Sequence, residues 1–211
     1  MKYKHFTVNP LSENCYILWD ETTKETAIID CGAWYPEEEK EIAHFIQEYD
    51  LRPVMALQTH MHFDHIWGLT FLQATYGLSP ICHTQDLHTL ELQPRMAEML
   101  GLTLPFELPT VERFLEDGDT LQLGKTKIQV IHTPGHSEGC ICFYIPSMQI
   151  LFSGDTLFRE SCGRTDFEGG SQADMAKSLE RLMLLPENTT VYPGHGPSTT
   201  ILWEKRHNPM I

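Results

Sequence analysis

The sequence predicts an α/β (α+β) protein in which two sheets of mostly antiparallel strands pack face to face with helices outside. Three observations carry this. Short β-branched or aromatic runs recur along the chain, separated by polar turns. Segments with apolar residues at helical spacing lie between them rather than at one end. With 211 residues, 41% hydrophobic and 21% charged, the chain has the makeup of a single globular domain over 1–211 with a sizeable core. Apolar sheet faces must be covered, and sheet on sheet with helices behind covers them.

The elements follow in order. "HFTVN", "NCYILWD" and "ETAIIDCG" read as three opening strands. "PEEEKEIAHFIQEY" reads as a helix: Pro and the glutamates suit its first turn, and Ile42, Phe45, Ile46 and Tyr49 share one face. "PVMALQTH" is the next strand, and "IWGLTFLQATYG" is a short helix ended by Gly77. "SPICHT" is a short buried strand, and "DLHTLELQPRMAEML" is helical with a break expected at Pro94. Gly101 to Glu112 reads as a loop. "DTLQLG", "TKIQVIHTPG", "CICFYIP" and "QILFSGD" supply four more strands. "SQADMAKSLERLMLL" is a helix capped near Ser171 or Gln172, "TTVYPGHG" a last strand, and "STTILWEKRHNPMI" adds one short helix. No internal repeat, linker or low-complexity segment interrupts them.

Charge narrows the function classes. A net charge of −14 disfavours a nucleic-acid partner, which needs a broad basic face. The N-terminus lacks the apolar core of a signal peptide, and no run of 18 apolar residues exists, so a cytoplasmic location with no membrane partner is expected. The six cysteines form no C-x-x-C pair and read as reduced, mostly small core residues.

The motif that stands out is "LQTHMHFDHIWG": His60, His62, Asp64 and His65 fall within six positions, directly after a strand. Alternate residues of an extended segment point the same way, so His60 and His62 can converge on one point, with Asp64 and His65 facing a second. Imidazole suits zinc or iron, and carboxylate adds a harder ligand. Three further candidates sit at strand ends beside a glycine: His136 in "TPGHSEG", Asp155 in "SGDTLF" and His195 in "YPGHG". Glycine permits the tight turn that aims each at a shared centre. His5, His44, His83, His88, His132 and His207 lack such a setting and read as surface or hydrogen-bonded residues.

At these residues the chain resembles the metallo-β-lactamase superfamily, and within it the glyoxalase II-like hydroxyacylglutathione hydrolases. "GDTLFRESCGRTDFEGGS" and "GHGPSTTILWEKRHNP" are similar to segments of the short members of that group. The resemblance implies a four-layer αβ/βα sandwich of two mixed sheets with the metals at one edge. It implies a first metal site of His60, His62 and His136, a second of Asp64, His65 and His195, and Asp155 bridging both. Two divalent ions are implied, zinc first, with iron or manganese as alternatives. The longer glyoxalase II members carry a C-terminal helical region that contacts glutathione, and this chain stops about where that region would begin.

The expected activity is binuclear hydrolysis of thioesters or related activated esters. Two metals can share a hydroxide as nucleophile, so no serine or cysteine is required. A thiolate leaves readily, and Asp64 would orient the attacking oxygen as well as hold a metal. Among Arg159, Arg164 and Lys177, Arg164 is the leading candidate for a substrate carboxylate clamp and Arg159 a second contact, with a structural ion pair as the alternative role. The competing classes are a mononuclear iron persulfide dioxygenase, a lactonase of the same fold, and a non-catalytic metal-stabilised module. A β-lactamase proper would be exported and differs at the second site. A small-molecule thioester or ester is the expected partner, with monomer and homodimer both open.

Overall fold

Apolar runs that alternate between two cores build the first sheet. In the computed structural model, which describes residues 1–99, 101 and 108–211, this sheet has the order β1 (Lys2–Val8), β2 (Glu13–Trp19), β3 (Glu25–Ile29), β4 (Arg52–Leu57), β5 (Pro80–His83), β6 (Arg113–Leu115). Every residue of β2 is buried, because both its faces are covered. Cys15, Ile17 and Trp19 face an outer core shared with Ile42 and Ile46 of α1 (Pro36–Glu48), Leu69 and Leu72 of α3 (Leu69–Tyr76) and Leu90 of α4 (Asp86–Met99). Tyr16 and Leu18 face the opposite way. There they meet Phe143 and Phe152 of the second sheet in a core between the two sheets.

The second sheet has the order β14 (Thr199–Thr200), β13 (Thr190–Pro193), β10 (Ile150–Gly154), β9 (Ile141–Ile145), β8 (Thr126–His132), β7 (Thr120–Leu123). Its outer face packs Cys142, Tyr144 and Leu151 against Met175, Leu179 and Leu182 of α5 (Gln172–Leu182) and Ile201 of α6 (Ile201–His207). The result is helices, sheet, sheet, helices, as expected. A two-residue ribbon, β11 (Leu157–Phe158) with β12 (Ser161–Cys162), follows β10. Backbone bonds stitch the two sheets along one edge: Ile141 N–H donates to Thr59 O at 2.9 Å, and Asn14 N–H to Gly194 O at 2.7 Å.

Several local expectations need correction. Both sheets are mixed, as expected, with antiparallel pairs in the majority over the two together, but the sequence did not show that the parallel pairings would be β3 to β6 and β10 with β13. Those in the first sheet arise from the helices between β3, β4, β5 and β6, which return the chain for a crossover. The helix expected over "IWGLTFLQATYG" is two: the one-turn α2 (Phe63–Ile66), then α3. Between them Gly68 N–H donates to Cys31 O at 2.8 Å, and a side chain at Gly68 would meet Cys31 Sγ at 2.5 Å. Gly77 does end α3, in the left-handed conformation.

No break occurs at Pro94: α4 continues through it to Met99. The turn before the proline is anchored by Gln93, whose amide bonds the Thr89 carbonyl, and by burial of Leu90, Gln93 and Ala97. Strands β6, β11, β12 and β14 were too short to stand out in the sequence. Of the expected loop from 101 to 112, residues 101 and 108–112 lie in no helix or strand, and residues 102–107 lie outside the described residues. Ser171 caps α5, accepting from Asp174 N–H at 3.2 Å. All six cysteines are free thiols, five buried and Cys162 half-buried. Among the described residues no helix is long and apolar enough to cross a membrane.

Candidate metal centre

The edge where the sheets are stitched is also where β3, β4, β8, β10 and β13 end. Past β4 the chain stays extended to His62, which caps α2 with φ −67° and ψ 148°. The single turn of α2 then swings Asp64 and His65 round to the same side. Asp30, just after β3, fixes the start of this segment, accepting from Thr59 N–H at 2.7 Å and Thr59 Oγ1 at 2.6 Å. Past β10, Gly154 adopts φ +49°, and a Cβ there would lie 2.6 Å from Thr59 Cβ. Glycine is therefore needed for both conformation and space where the chain turns to present Asp155.

The seven candidates come together. The rings of His60, His62 and His136 lie 4.5–4.9 Å apart, near-perpendicular to one another. His62 Nδ1 and His136 Nε2 face each other at 2.8 Å. On the other side, His195 Nε2 is 3.1 Å and His65 Nε2 is 3.8 Å from Asp64 Oδ2. Asp155 stands between the groups: Oδ1 is 3.4 Å from His65 Nε2, and Oδ2 is 3.5 Å from His136 Nε2 and 3.7 Å from His195 Nε2. Among the seven candidates three donor sets result, each with all donor atoms within 4.8 Å: His60, His62 and His136; Asp64, His65 and His195; and His60, His65 and Asp155; a fourth such group, Glu13, Asp30 and His65, lies behind His65.

These atoms suit a cation. His60 Nε2, His62 Nε2, His65 Nε2 and Asp155 Oδ1 are buried and have no hydrogen-bond partner. Buried polar atoms are costly unless compensated, and a divalent ion compensates them. Imidazole and carboxylate together fit zinc, iron or manganese. The far side of several rings is held: His136 Nδ1 is 2.7 Å from Arg164 O, His195 Nδ1 is 3.1 Å from Leu11 O, and His65 Nδ1 is 3.2 Å from Asp30 Oδ2. Those contacts favour the tautomer that leaves Nε2 facing the centre.

The electrostatics of His60, His62 and Asp155 point the same way, whereas His65 is held in its charged form by the carboxylates that a cation would neutralise. Burial, then the neighbouring histidines, hold His60 well below the ordinary histidine value, and burial with His136 pushes His62 down to about 3. Both are thus neutral imidazoles able to donate a lone pair. Burial alone would raise Asp155, but His65, His136 and His195 hold it well below the ordinary carboxylate value. Burial opposes charge on His65 too, yet Asp64 and Asp155 raise it well above its ordinary value.

Arg164 makes a bidentate pair with Asp166, both bonds 2.7 Å, and its guanidinium lies 3.8 Å over the Phe167 ring. That ring is 5.7 Å from the ring of His62. Arg159 lies 4.9 Å over Trp203 and lines a surface cavity of about 300 Å³ with Phe158, His195 and Gly196. Lys177 pairs with Asp174 on α5. His83 and His132 stack on each other with centroids 4.1 Å apart and belong to no donor set among the described residues.

Sequence reasoning missed Asp30 and Glu13 behind His65, and Asp86 and Gln93 on α4. Asp30 was findable, because "IIDCG" is an apolar run ending beside a glycine, the signal that marked Asp155. Glu13 is fully buried, with Oε1 3.9 Å from His65 Nδ1 and Oε2 accepting from Gly32 N–H at 3.2 Å. Nothing local marks it.

Comparison with known proteins identifies the family and the fold. The family described as the metallo-beta-lactamase superfamily matches residues 8–195. The hydroxyacylglutathione hydrolase GloC of Haemophilus influenzae is 32% identical over 219 residues, covering 100% of this chain and 98% of its own. Among solved structures, the BLEG-1 B3 metallo-beta-lactamase superposes with a TM-score of 0.88 at 33% identity, covering 99% of this chain and 98% of its own. TTHA1623 in a di-iron-bound form superposes with a TM-score of 0.87 at 38% identity, covering 99% and 100%.

Proposed function

The chain belongs to the metallo-β-lactamase superfamily, and from that premise we propose that it is a binuclear metal-dependent hydrolase of thioesters, of the hydroxyacylglutathione type, or of related activated esters. The observation that carries the reading is Asp155, within 3.4–3.7 Å of His65, His136 and His195 and so shared between the two donor sets. In this reading His60, His62 and His136 hold one ion, Asp64, His65 and His195 the other, and Asp155 both. The likeness to GloC supports the thioester substrate.

Bound divalent ions supply a water of near-neutral pKa and polarise the substrate carbonyl. The chain's residues do the rest. The Asp64 carboxylate, with Oδ2 3.1 Å from His195 Nε2, would orient the attacking oxygen by accepting its hydrogen. Burial of His60, His62, His65 and His136 excludes bulk water from that side of the cluster and strengthens these interactions, while His195 stays partly exposed. Burial pushes the Cys142 thiol up to about 11 and Cys82 beyond it, which disfavours either as a nucleophile. A thiolate needs little acid help to leave. Arg159, in the cavity beside His195, is the group offered to a substrate carboxylate; Arg164 would first have to leave Asp166.

A second reading, a mononuclear iron persulfide dioxygenase, draws on the likeness to ETHE1 from Myxococcus xanthus, which superposes with a TM-score of 0.80 at 28% identity, covering 99% of this chain and 84% of its own. One experiment separates the readings. Metal content is measured on purified protein, then turnover of lactoylglutathione, a lactone panel and a cephalosporin, with oxygen uptake on glutathione persulfide. Close to two metals per chain and thioester turnover are expected. A fully loaded protein that hydrolyses no thioester but consumes oxygen on persulfide would replace the hydrolase reading.

A further inference from the structure

Asp86 opens α4, is fully buried, and takes no part in the chemistry above. Its two oxygens accept from three donors. Oδ2 takes the Met61 N–H; Oδ1 takes the Ser137 hydroxyl at 2.6 Å and the Thr89 hydroxyl at 2.8 Å. Met61 lies between His60 and His62, and Ser137 follows His136. One carboxylate therefore joins the two segments that carry the first donor set. Their packing is close: a side chain at Gly139 would lie 2.5 Å from Asp86 Cβ and 2.7 Å from its Cα.

The second donor set is supported by other groups. His65 rests on Asp30, His195 on the Leu11 carbonyl, and the turn bearing Asp64 and His65 on Gln93, which accepts from Phe63 N–H at 2.8 Å. Asp86 makes no hydrogen bond to any of these.

We propose that Asp86 is a positioning residue for the first metal site alone, tying the His60–His62 segment to the His136 segment at the spacing a cation requires. The proposal rests on the two-site reading of the centre. Metal–ligand distances tolerate deviations of about 0.2 Å, so two ligand loops from distant parts of the chain need a fixed tie. The tie must be a carboxylate. Asparagine has the same shape but only one acceptor oxygen, so its amide would set N–H against the Met61 N–H or against a hydroxyl oxygen whose own hydrogen then lacks its acceptor.

The test uses metal-free full-length protein titrated with zinc against a chromophoric chelator, and with cobalt(II) followed by its visible spectrum. His136→Ala and His195→Ala identify which binding step belongs to which site. Asp86→Asn is expected to weaken the His136-dependent step by about 10–100-fold, the range for groups that support metal ligands. The His195-dependent step should stay within about threefold on the same scale. Ser137→Ala should give a smaller loss in the same step, not additive with Asp86→Asn, and it carries the test if Asp86→Asn does not fold. Equal weakening of both steps, no change in a folded Asp86→Asn protein, or loss confined to the His195-dependent step would overturn the proposal. If the wild-type protein binds one ion only, the two-site reading fails separately. The proposal then stands where that step needs His136 and weakens in Asp86→Asn, and falls where it does not.

Discussion

Replacing Gly194 with alanine tests how tightly the centre is built. Gly194 is not among the residues with positive φ, so it is glycine for space rather than conformation. An alanine Cβ would overlap Asp155 Oδ1 and lie 2.7 Å from His65 Cε1 and 3.3 Å from Gly154 C. Non-bonded carbons rest at about 3.5–4.0 Å, so the His65 ring would have to retreat by about 0.8 Å or more. That exceeds the roughly 0.2 Å that metal–ligand distances tolerate.

Neither side can yield easily. His65 is fully buried with Asp30 3.2 Å behind it. Gly194 is held by its N–H to Gly154 O at 2.9 Å and by Asn14 N–H on its own carbonyl at 2.7 Å. Overpacking of this kind costs about 1–3 kcal/mol. At about 2–4 °C per kcal/mol for a protein of this size, the metal-free Gly194→Ala protein should melt roughly 2–12 °C lower. Equilibrium dialysis with elemental analysis should show a clear loss of metal. Gly196→Ala is the control: Gly196 has φ +75° with no atom within 4 Å of its Cβ, so only left-handed strain of about 1–2 kcal/mol is expected, with metal uptake intact. Wild-type metal uptake and melting in Gly194→Ala would refute the steric argument.

Asp155→Ala should abolish turnover and sharply reduce metal content, because three histidines lie within 3.4–3.7 Å of that carboxylate; near-normal values of both would remove it from the centre. His83→Ala and His132→Ala should keep full metal content, since their rings stack on each other; loss of an ion in either would mean the ligand set is misread. Asp117→Asn should cost under about 1 kcal/mol at neutral pH, because the Asp117–Arg181 pair is nearly half exposed. Burial opposes it, but the Arg181 hydrogen bond holds the Asp117 carboxyl below its ordinary 3.8. The contribution is therefore present above that value and lost as pH falls below it. Urea melts of the two proteins should differ at pH 6 and converge toward pH 3, and a gap that persists unchanged would contradict the assignment.

What could be read from the sequence was whatever is decided over a few residues. The first four ligand candidates occupy six positions, and an extended segment followed by a turn is enough to bring them to one side. His136, Asp155 and His195 were legible because each sits beside a glycine at the end of an apolar run. The Ser171 cap and the Gly77 stop follow from local hydrogen bonding and backbone freedom. Cys15 to Trp19 in β2 form an unbroken apolar run, and the structure buries it on both faces.

Tertiary structure decided the rest. Strand direction in β3 to β6 depends on the path of the intervening helices, not on residue pattern. Pro94 is tolerated because helix packing and the Gln93 bond outweigh one missing amide. Arg164 pairs with a residue two positions on, yet "GRTDF" is equally compatible with an open guanidinium; only the fold closes it onto Asp166 and Phe167. Asp86 illustrates the limit most plainly. Its partners Met61 and Ser137 lie 25 and 51 residues away, so in sequence it is an ordinary helix-start aspartate. A buried carboxylate's role is set by which donors the packed chain brings to it, and those donors converge only after both sheets have closed.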